Sequence, residues 1–252
     1  METSSKPCVW VIGGSGGIGA AICRDLANNG SLVSMTYHRS RPDALIRDLE
    51  TAGSFGGATT LDVRDPNAVA SACEEVFRTH GRLNAIVHAA GPHVPMRHLS
   101  QVTPSDFANQ MSADAAGFFN VMVAALPKLR ASRGSVVAVT TAATRRYPVR
   151  DGLSAAPKGA VEALVRGFAA EEGRYGVRVN AVAPGMLTDG MAERLISSGD
   201  LDERALDVTR ANIPMRTFGS ADDIAYATTF LLSERAAFIS GQTLCIDGGY
   251  SV

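Results

Sequence analysis

The amino-acid sequence predicts an α/β fold: a doubly wound parallel sheet flanked by helices, formed as one domain over residues 1–252. Three observations predict it. Strand-like and helix-like stretches alternate from one end to the other, which is the pattern of repeated βα units. The apolar runs at 8–12 and 135–139 are continuous rather than alternating, as in strands buried on both faces of a parallel sheet. The first run leads straight into Gly13-Gly14-Ser15-Gly16-Gly17-Ile18-Gly19, after which Ile18, Ile22 and Leu26 recur at helical spacing.

The elements follow in order. After the glycine turn and its helix, residues 32–36 form a second strand and 44–49 a short helix. Residues 58–61 form a third strand. A helix over 67–78 turns Val69, Cys73, Val76 and Phe77 inward. Residues 83–88 are a fourth strand, followed by a long helical region over about 105–129 and a fifth strand at 135–139. A helix over 154–174 precedes a sixth strand at 177–182. Ser220 is a good N-cap for a helix over 221–232, and residues 243–246 close the sheet. One irregular stretch, 185 to about 214, follows a strand end and reads as a lid.

Bulk properties narrow the function classes. The chain has 252 residues, 46% hydrophobic and 19% charged, with a formal net charge of −1. That balance argues against a general nucleic-acid or anionic-membrane surface. No apolar run is long enough to span a bilayer, and the first residues lack a signal peptide's apolar core. Cys8, Cys23, Cys73 and Cys245 form no metal-type spacing, so no metal site is expected, and three of them sit in apolar contexts as reduced thiols. The expectation is a cytoplasmic enzyme.

The strand, glycine turn and helix at 8–26 are the parts of a dinucleotide-binding unit. Glycine lets the backbone approach a pyrophosphate, which then faces the N–H groups of the helix N-terminus. Gly14, Gly16 and Gly19 fit G-x-G-x-x-G, while Gly13, Gly17 and Gly19 fit the wider G-x-x-x-G-x-G. An NAD site places an acid at the end of the second strand. Here that place holds Tyr37-His38-Arg39-Ser40-Arg41. It has no carboxylate, and two guanidinium groups are available for a 2′-phosphate. NADP is therefore expected over NAD.

Further landmarks are Asp62-Val63, His88-Ala89-Ala90-Gly91, Asn180 through Pro184-Gly185, and the tail Ile246-Asp247-Gly248-Gly249-Tyr250. With the glycine loop, they make the chain resemble the classical short-chain dehydrogenases/reductases, especially the 3-oxoacyl-carrier-protein reductase type, over almost its whole length. The resemblance implies a Rossmann-type sheet and adenine contacts at Asp62 and Val63. It implies nicotinamide-side contacts from Ala89, Ala90, Gly91, Pro184, Gly185 and Thr188, and a homotetramer.

That family works with Asn, Ser, Tyr and Lys, the tyrosine four residues before the lysine. Lys158 matches the lysine, which also holds the nicotinamide ribose. Counting back four gives Ser154, thirteen further back gives Thr141, and the asparagine maps through Gly117 onto Asp114. A serine hydroxyl is a far weaker acid than a phenol, so Ser154 reads equally well as a helix N-cap with Pro157 in the first turn. Thr141 keeps a hydroxyl that can polarise a carbonyl. Asp114 is either a new acid or a helix residue paired with Lys158. Tyr147, in the loop joining Thr141 to Ser154, is one replacement acid; His93 and His98 are others. Arg145, Arg146 and Arg150, with Arg130, Arg133 and Arg174, suit an acyl carrier protein, a coenzyme A phosphate or plain surface charge.

The leading expectation is an NADP-dependent, ketoreductase-like oxidoreductase acting on a carbonyl or alcohol, such as a β-keto thioester or polyketide-like compound, with an atypical proton donor. The alternatives are a non-redox dehydratase, isomerase or cyclase in the same cleft, and a nucleotide-binding protein without catalysis.

Overall fold

The apolar run Cys8–Ile12 is β1, buried at every residue. It lies inside one seven-stranded sheet whose neighbouring strands pair in parallel. The computed structural model describes residues 6–92, 94–188 and 203–252. After β1 come α1 (Gly17–Asn28), β2 (Leu32–Tyr37), α2 (Asp43–Thr51), β3 (Phe55–Thr60), α3 (Pro66–His80) and β4 (Ala85–His88). Then follow α4 (Pro104–Met111), α5 (Gly117–Ser132), β5 (Ser135–Val139), α6 (Gly152–Glu172) and β6 (Arg178–Pro184). The last described elements are α7 (Glu203–Ala211), α8 (Ala221–Leu232) and β7 (Thr243–Ile246).

The strand order is β3-β2-β1-β4-β5-β6-β7. The chain winds outward from β1 to β3, then crosses back to lay β4 on the other side of β1, with Ile12 beside His88. A crevice opens at that reversal, above the carboxyl ends of β1 and β4, where such sheets bind ligands. Two hydrophobic layers hold the helices to the sheet. Ile22, Leu26, Leu49 and Ile224 pack on one face, and Val69, Phe118, Met122 and Val165 on the other. No helix among the described residues is long and apolar enough to cross a membrane.

Local chemistry explains the element ends. Asp65 accepts from the N–H groups of Asn67 and Ala68, Pro66 occupies the first turn, and Gly81 at φ +67° ends α3. Ser220 and Asp223 form a reciprocal capping box at α8, as the sequence predicts.

Four sequence expectations change. The third strand starts at Phe55 rather than 58, because Gly56 has no Cβ to strike Ser34, whose Oγ would lie 2.8 Å from one. The helical region over 105–129 is two helices joined by a wider π-type turn, Ser112–Ala116. The helix expected over 154–174 begins at Gly152, so Ser154 lies inside α6. The stretch 185–214 is not wholly irregular, since it contains α7. Residues 189–202 of that lid, and His93, lie outside the described residues.

Candidate active site

The glycine loop is shaped by backbone geometry. Gly13 has φ +81°, and a Cβ there would lie 2.7 Å from the backbone of Ala90. A Cβ on Gly19 would run into the carbonyl oxygen of Gly13. Both glycines are therefore needed for the turn and for its contact with the β4 loop. The Gly13 N–H donates to Thr36 Oγ1 at 3.0 Å, a support from β2 that the glycine pattern does not reveal. The first turn bond of α1 runs from Ala20 N–H to Gly16 O at 2.7 Å. The N–H groups of Gly17, Ile18 and Gly19 are then free of partners among the described residues, and they follow the exposed Ser15 and Gly16. Such orphan donors suit a pyrophosphate.

At the end of β2, Tyr37 is half-buried and His38, Arg39 and Ser40 are exposed. Arg41 is engaged with Asp43 at 3.1 Å, whereas Arg39 has no partner among the described residues. Across from them, Asp62 is gripped on both carboxylate oxygens by Arg64. The Arg64 guanidinium holds the Asp62 carboxyl down at about 2. Val63 turns its side chain into the core against Gly117 and accepts at its carbonyl from Asn120, so it offers a nucleotide only backbone.

The π-type turn carries Asp114 inward to 1% exposure. There its Oδ1 meets Lys158 Nζ at 2.8 Å, and its Oδ2 accepts from Gln110 at 2.9 Å. The pairing alternative for Asp114 is thus observed. Sequence spacing missed Gln110, although four residues on one helix is the separation that allows the contact. Gly91 passes close by: a Cβ there would lie 3.0 Å from Lys158 Nζ and 3.3 Å from Asp114 Oδ1. Ala89 bonds back to Ile12 at 2.9 Å. Thr141 follows β5; its Oγ1 accepts from the Ala143 N–H at 3.3 Å, which leaves its own proton to donate.

Ser154 does not cap α6. It is the third helical residue, its N–H bonds the Asp151 carbonyl at 3.1 Å, and its hydroxyl has no partner among the described residues. Pro157 sits deeper in the helix than a first-turn proline. Tyr147 is 49% exposed, with its hydroxyl 3.1 Å from where a Cβ of Gly152 would be. His98 is exposed. On the far side, Pro184 ends β6, the Gly185 N–H donates to Ile246 O, and the Thr188 N–H donates to Gly219 O. This fixes the strap that enters the lid.

A family model described as enoyl-(acyl carrier protein) reductase matches residues 13–251. The chain is 32% identical over 247 residues to L-fucose dehydrogenase of Mus musculus, covering 97% of this chain and 88% of the relative. It is 30% identical over 245 residues to a 3-oxoacyl-(acyl-carrier-protein) reductase of Staphylococcus aureus, covering 95% and 96%. A solved short-chain dehydrogenase/reductase from Serratia marcescens superposes with a TM-score of 0.88 at 27% identity over 98% of each chain. The chain belongs to the short-chain dehydrogenase/reductase family. It is an oxidoreductase of alcohol and carbonyl groups, and the family uses NAD or NADP.

Of two further side chains in this short-chain dehydrogenase/reductase, the sequence pointed to His88 only as part of the 88–91 landmark and did not point to Asp151. His88, at the carboxyl end of β4, is buried, packs edge-on to Phe118 with ring centroids 5.4 Å apart, and has no hydrogen-bond partner for either ring nitrogen among the described residues. Burial, with the nearby Lys158 charge, pushes it down to about 3. Asp151, the residue before α6, is half-buried and makes no side-chain capping bond. Most of the loop arginines are occupied: Arg130 forks onto Glu172 at 2.6 and 2.7 Å and stacks on Tyr175. Arg174 stacks on the same ring, Arg146 covers Tyr250, Arg150 donates to Met96 O, and Arg133 packs its stem beside Gly176. Arg145 lies 3.9 Å from Glu162.

Proposed function

We propose that this protein is an NADPH-dependent reductase of a carbonyl group on a small-molecule or thioester-linked substrate, with a proton donor other than a tyrosine four residues before Lys158. The observation that carries the reading is the buried Lys158–Asp114 pair beside Gly91. It sits beside the loop after β4, at the sheet's reversal point, where this reading puts the nicotinamide. The bound nucleotide supplies hydride, and the protein orients it. The free N–H groups of Gly17, Ile18 and Gly19 hold the pyrophosphate, and Lys158 holds the nicotinamide ribose. Thr141 donates a hydrogen bond to the carbonyl oxygen and polarises it. The reading is tested by mixing the protein with NADPH and β-keto thioesters in a single turnover. NADPH absorbance should fall and the hydroxy thioester should appear. A protein that binds NADPH but oxidises none of it with any carbonyl overturns the assignment.

Cofactor choice rests on Arg39, the unengaged guanidinium after β2. Arg39→Ala should weaken NADPH by about 1–3 kcal/mol, the range for a hydrogen bond to a charged group, and leave NADH nearly unchanged. Nicotinamide fluorescence titration measures both. Equal affinity of the unaltered protein for the two cofactors would refute the preference.

Assembly as a homotetramer is supported by large apolar side chains left in solvent. Phe119 is 47% and Val123 54% exposed on α5, Tyr226 is 60% exposed on α8, and Phe238 is fully exposed. Patches of this kind mark contact surfaces. Light scattering at micromolar concentration should give several times the 26.4 kDa of one chain; a value near 26.4 kDa counts against it.

A further inference from the structure

We propose that Asp151 is the acid that delivers the proton to the substrate oxygen, an inference that rests on the reductase reading above. Three observations place it.

The first is position. Asp151 precedes Lys158 by seven residues, about two helical turns and about 10 Å along the axis, which brings both to nearly the same side of α6. Lys158 faces the cleft through its contact with Asp114 and its approach to Gly91. Asp151 therefore stands further along the same wall, one turn beyond Ser154.

The second is that Asp151 does no structural work with its carboxyl. Aspartate before a helix normally accepts from the second or third N–H. Here no such bond forms, and no hydrogen bond or ion pair to its carboxyl occurs among the described residues.

The third is that its place is fixed. Arg97 and Asp151 form a parallel β-bridge, the Arg97 N–H donates to Arg150 O at 3.0 Å, and Arg150 Nη2 donates to Met96 O at 2.8 Å. The loop after β4 is thereby stitched to the start of α6. Leu99 covers Gly152, and the Tyr147 hydroxyl lies against it. The result is a partly buried carboxyl whose backbone is held by the loop after β4.

Among the described residues, the charged and titratable groups on the elements around it are otherwise occupied or turned to solvent. Arg97 lies 3.8 Å from Asp106, Arg150 is on Met96 O, Lys158 is on Asp114, and His98 and Tyr147 are exposed. Burial alone pushes the Asp151 carboxyl up to about 6, a value suited to an acid working near neutral pH.

The step balances. The carbonyl carbon receives hydride, with its electron pair, from the reduced nicotinamide as the C=O π bond breaks. The oxygen takes the proton of the Asp151 carboxylic acid, leaving carboxylate, alcohol and oxidised nicotinamide. Water then reprotonates Asp151.

The test has a readout independent of turnover. In protein labelled with ¹³C at the aspartate carboxyls, the resonance missing from Asp151→Asn should titrate near pH 6. In the unaltered protein kcat should fall as pH rises through that value, since the acid is lost. Asp151→Asn should lower kcat at least tenfold and remove that limb of the profile, with NADPH affinity by fluorescence unchanged, and Asp151→Glu should restore part of the rate. A resonance titrating at the ordinary aspartate value overturns the proposal, as does an Asp151→Asn enzyme with unchanged kcat and pH profile. Those results leave the reductase reading standing. Failure of the unaltered protein to oxidise NADPH with any carbonyl removes both.

Discussion

Alanine at Lys158 is expected to cost about 3–5 kcal/mol of stability and to lower kcat/KM about 10²–10⁴-fold, whereas Ser154→Ala costs less than tenfold in rate. The stability loss comes from Asp114. At 1% exposure, with Lys158 at 14%, its carboxylate would be left with Gln110 as its only partner among the described residues, and an uncompensated buried charge carries a penalty of that size. The rate loss has the magnitude typical of removing a proton-transfer or orienting group. Ser154 offers neither loss: its hydroxyl is unbonded among the described residues and its acidity too low to serve as donor, so less than tenfold, about 1.4 kcal/mol of barrier, is at stake. Urea unfolding and steady-state kinetics give the two quantities separately. The double variant Lys158→Met/Asp114→Asn removes both charges and should regain most of the stability without regaining the rate. If it regained the rate, Lys158 would be only a structural partner of Asp114. A large loss in Ser154→Ala, with fold and NADPH affinity intact, would return that serine to the chemistry.

Stability should fall by about 2 kcal/mol between pH 7 and pH 5 through His88 alone. Its folded value of about 3 lies below the 6.5 of an ordinary histidine, so the folded protein holds it neutral while the unfolded chain takes up a proton. The folded form is therefore undisturbed above pH 6.5, and stability is lost as pH falls from 6.5 toward 3, at about 1.4 kcal/mol per unit. The cause is burial without a hydrogen-bond partner for either nitrogen among the described residues, so a charged ring has nothing to replace its water. His88→Leu, which cannot titrate, should show this part of the slope abolished in urea unfolding at pH 7, 6 and 5. Identical slopes in the two proteins would show that the ring finds a partner, such as buried water. The same effect sets the range for the Asp151 experiment, since its expected midpoint near 6 lies above the region where His88 weakens the fold most.

Local patterns were enough for the architecture. The strands at 8–12, 135–139 and 243–246 stand at the predicted residues, and the Ser220 cap closes as expected. These features depend on neighbours in the chain: apolar runs that need two buried faces, glycines that free a turn, and a hydroxyl before a helix. Errors arose where contacts from elsewhere decided. The third strand reads from 58 until Gly56 is seen to leave room for Ser34 by its missing Cβ. Serine, two alanines and a proline read as a helix start until the β4 loop is seen holding Arg150 and Asp151, one turn earlier.

The residues 13–19 and the two arginines after β2 stand out as candidates in the sequence alone, because a glycine turn and a missing acid are properties of consecutive residues, and Lys158 stands out through the family resemblance. Tertiary structure decided what those residues work with. Asp114 meets Lys158 across 44 residues because a π-type turn rotates it inward. Among the described residues Arg39 has no partner while Arg41 is taken by Asp43, and the Asp151 carboxyl likewise has none. Burial and pairing are set by what packs against a side chain, and residues brought together by the sheet's reversal are far apart along the chain.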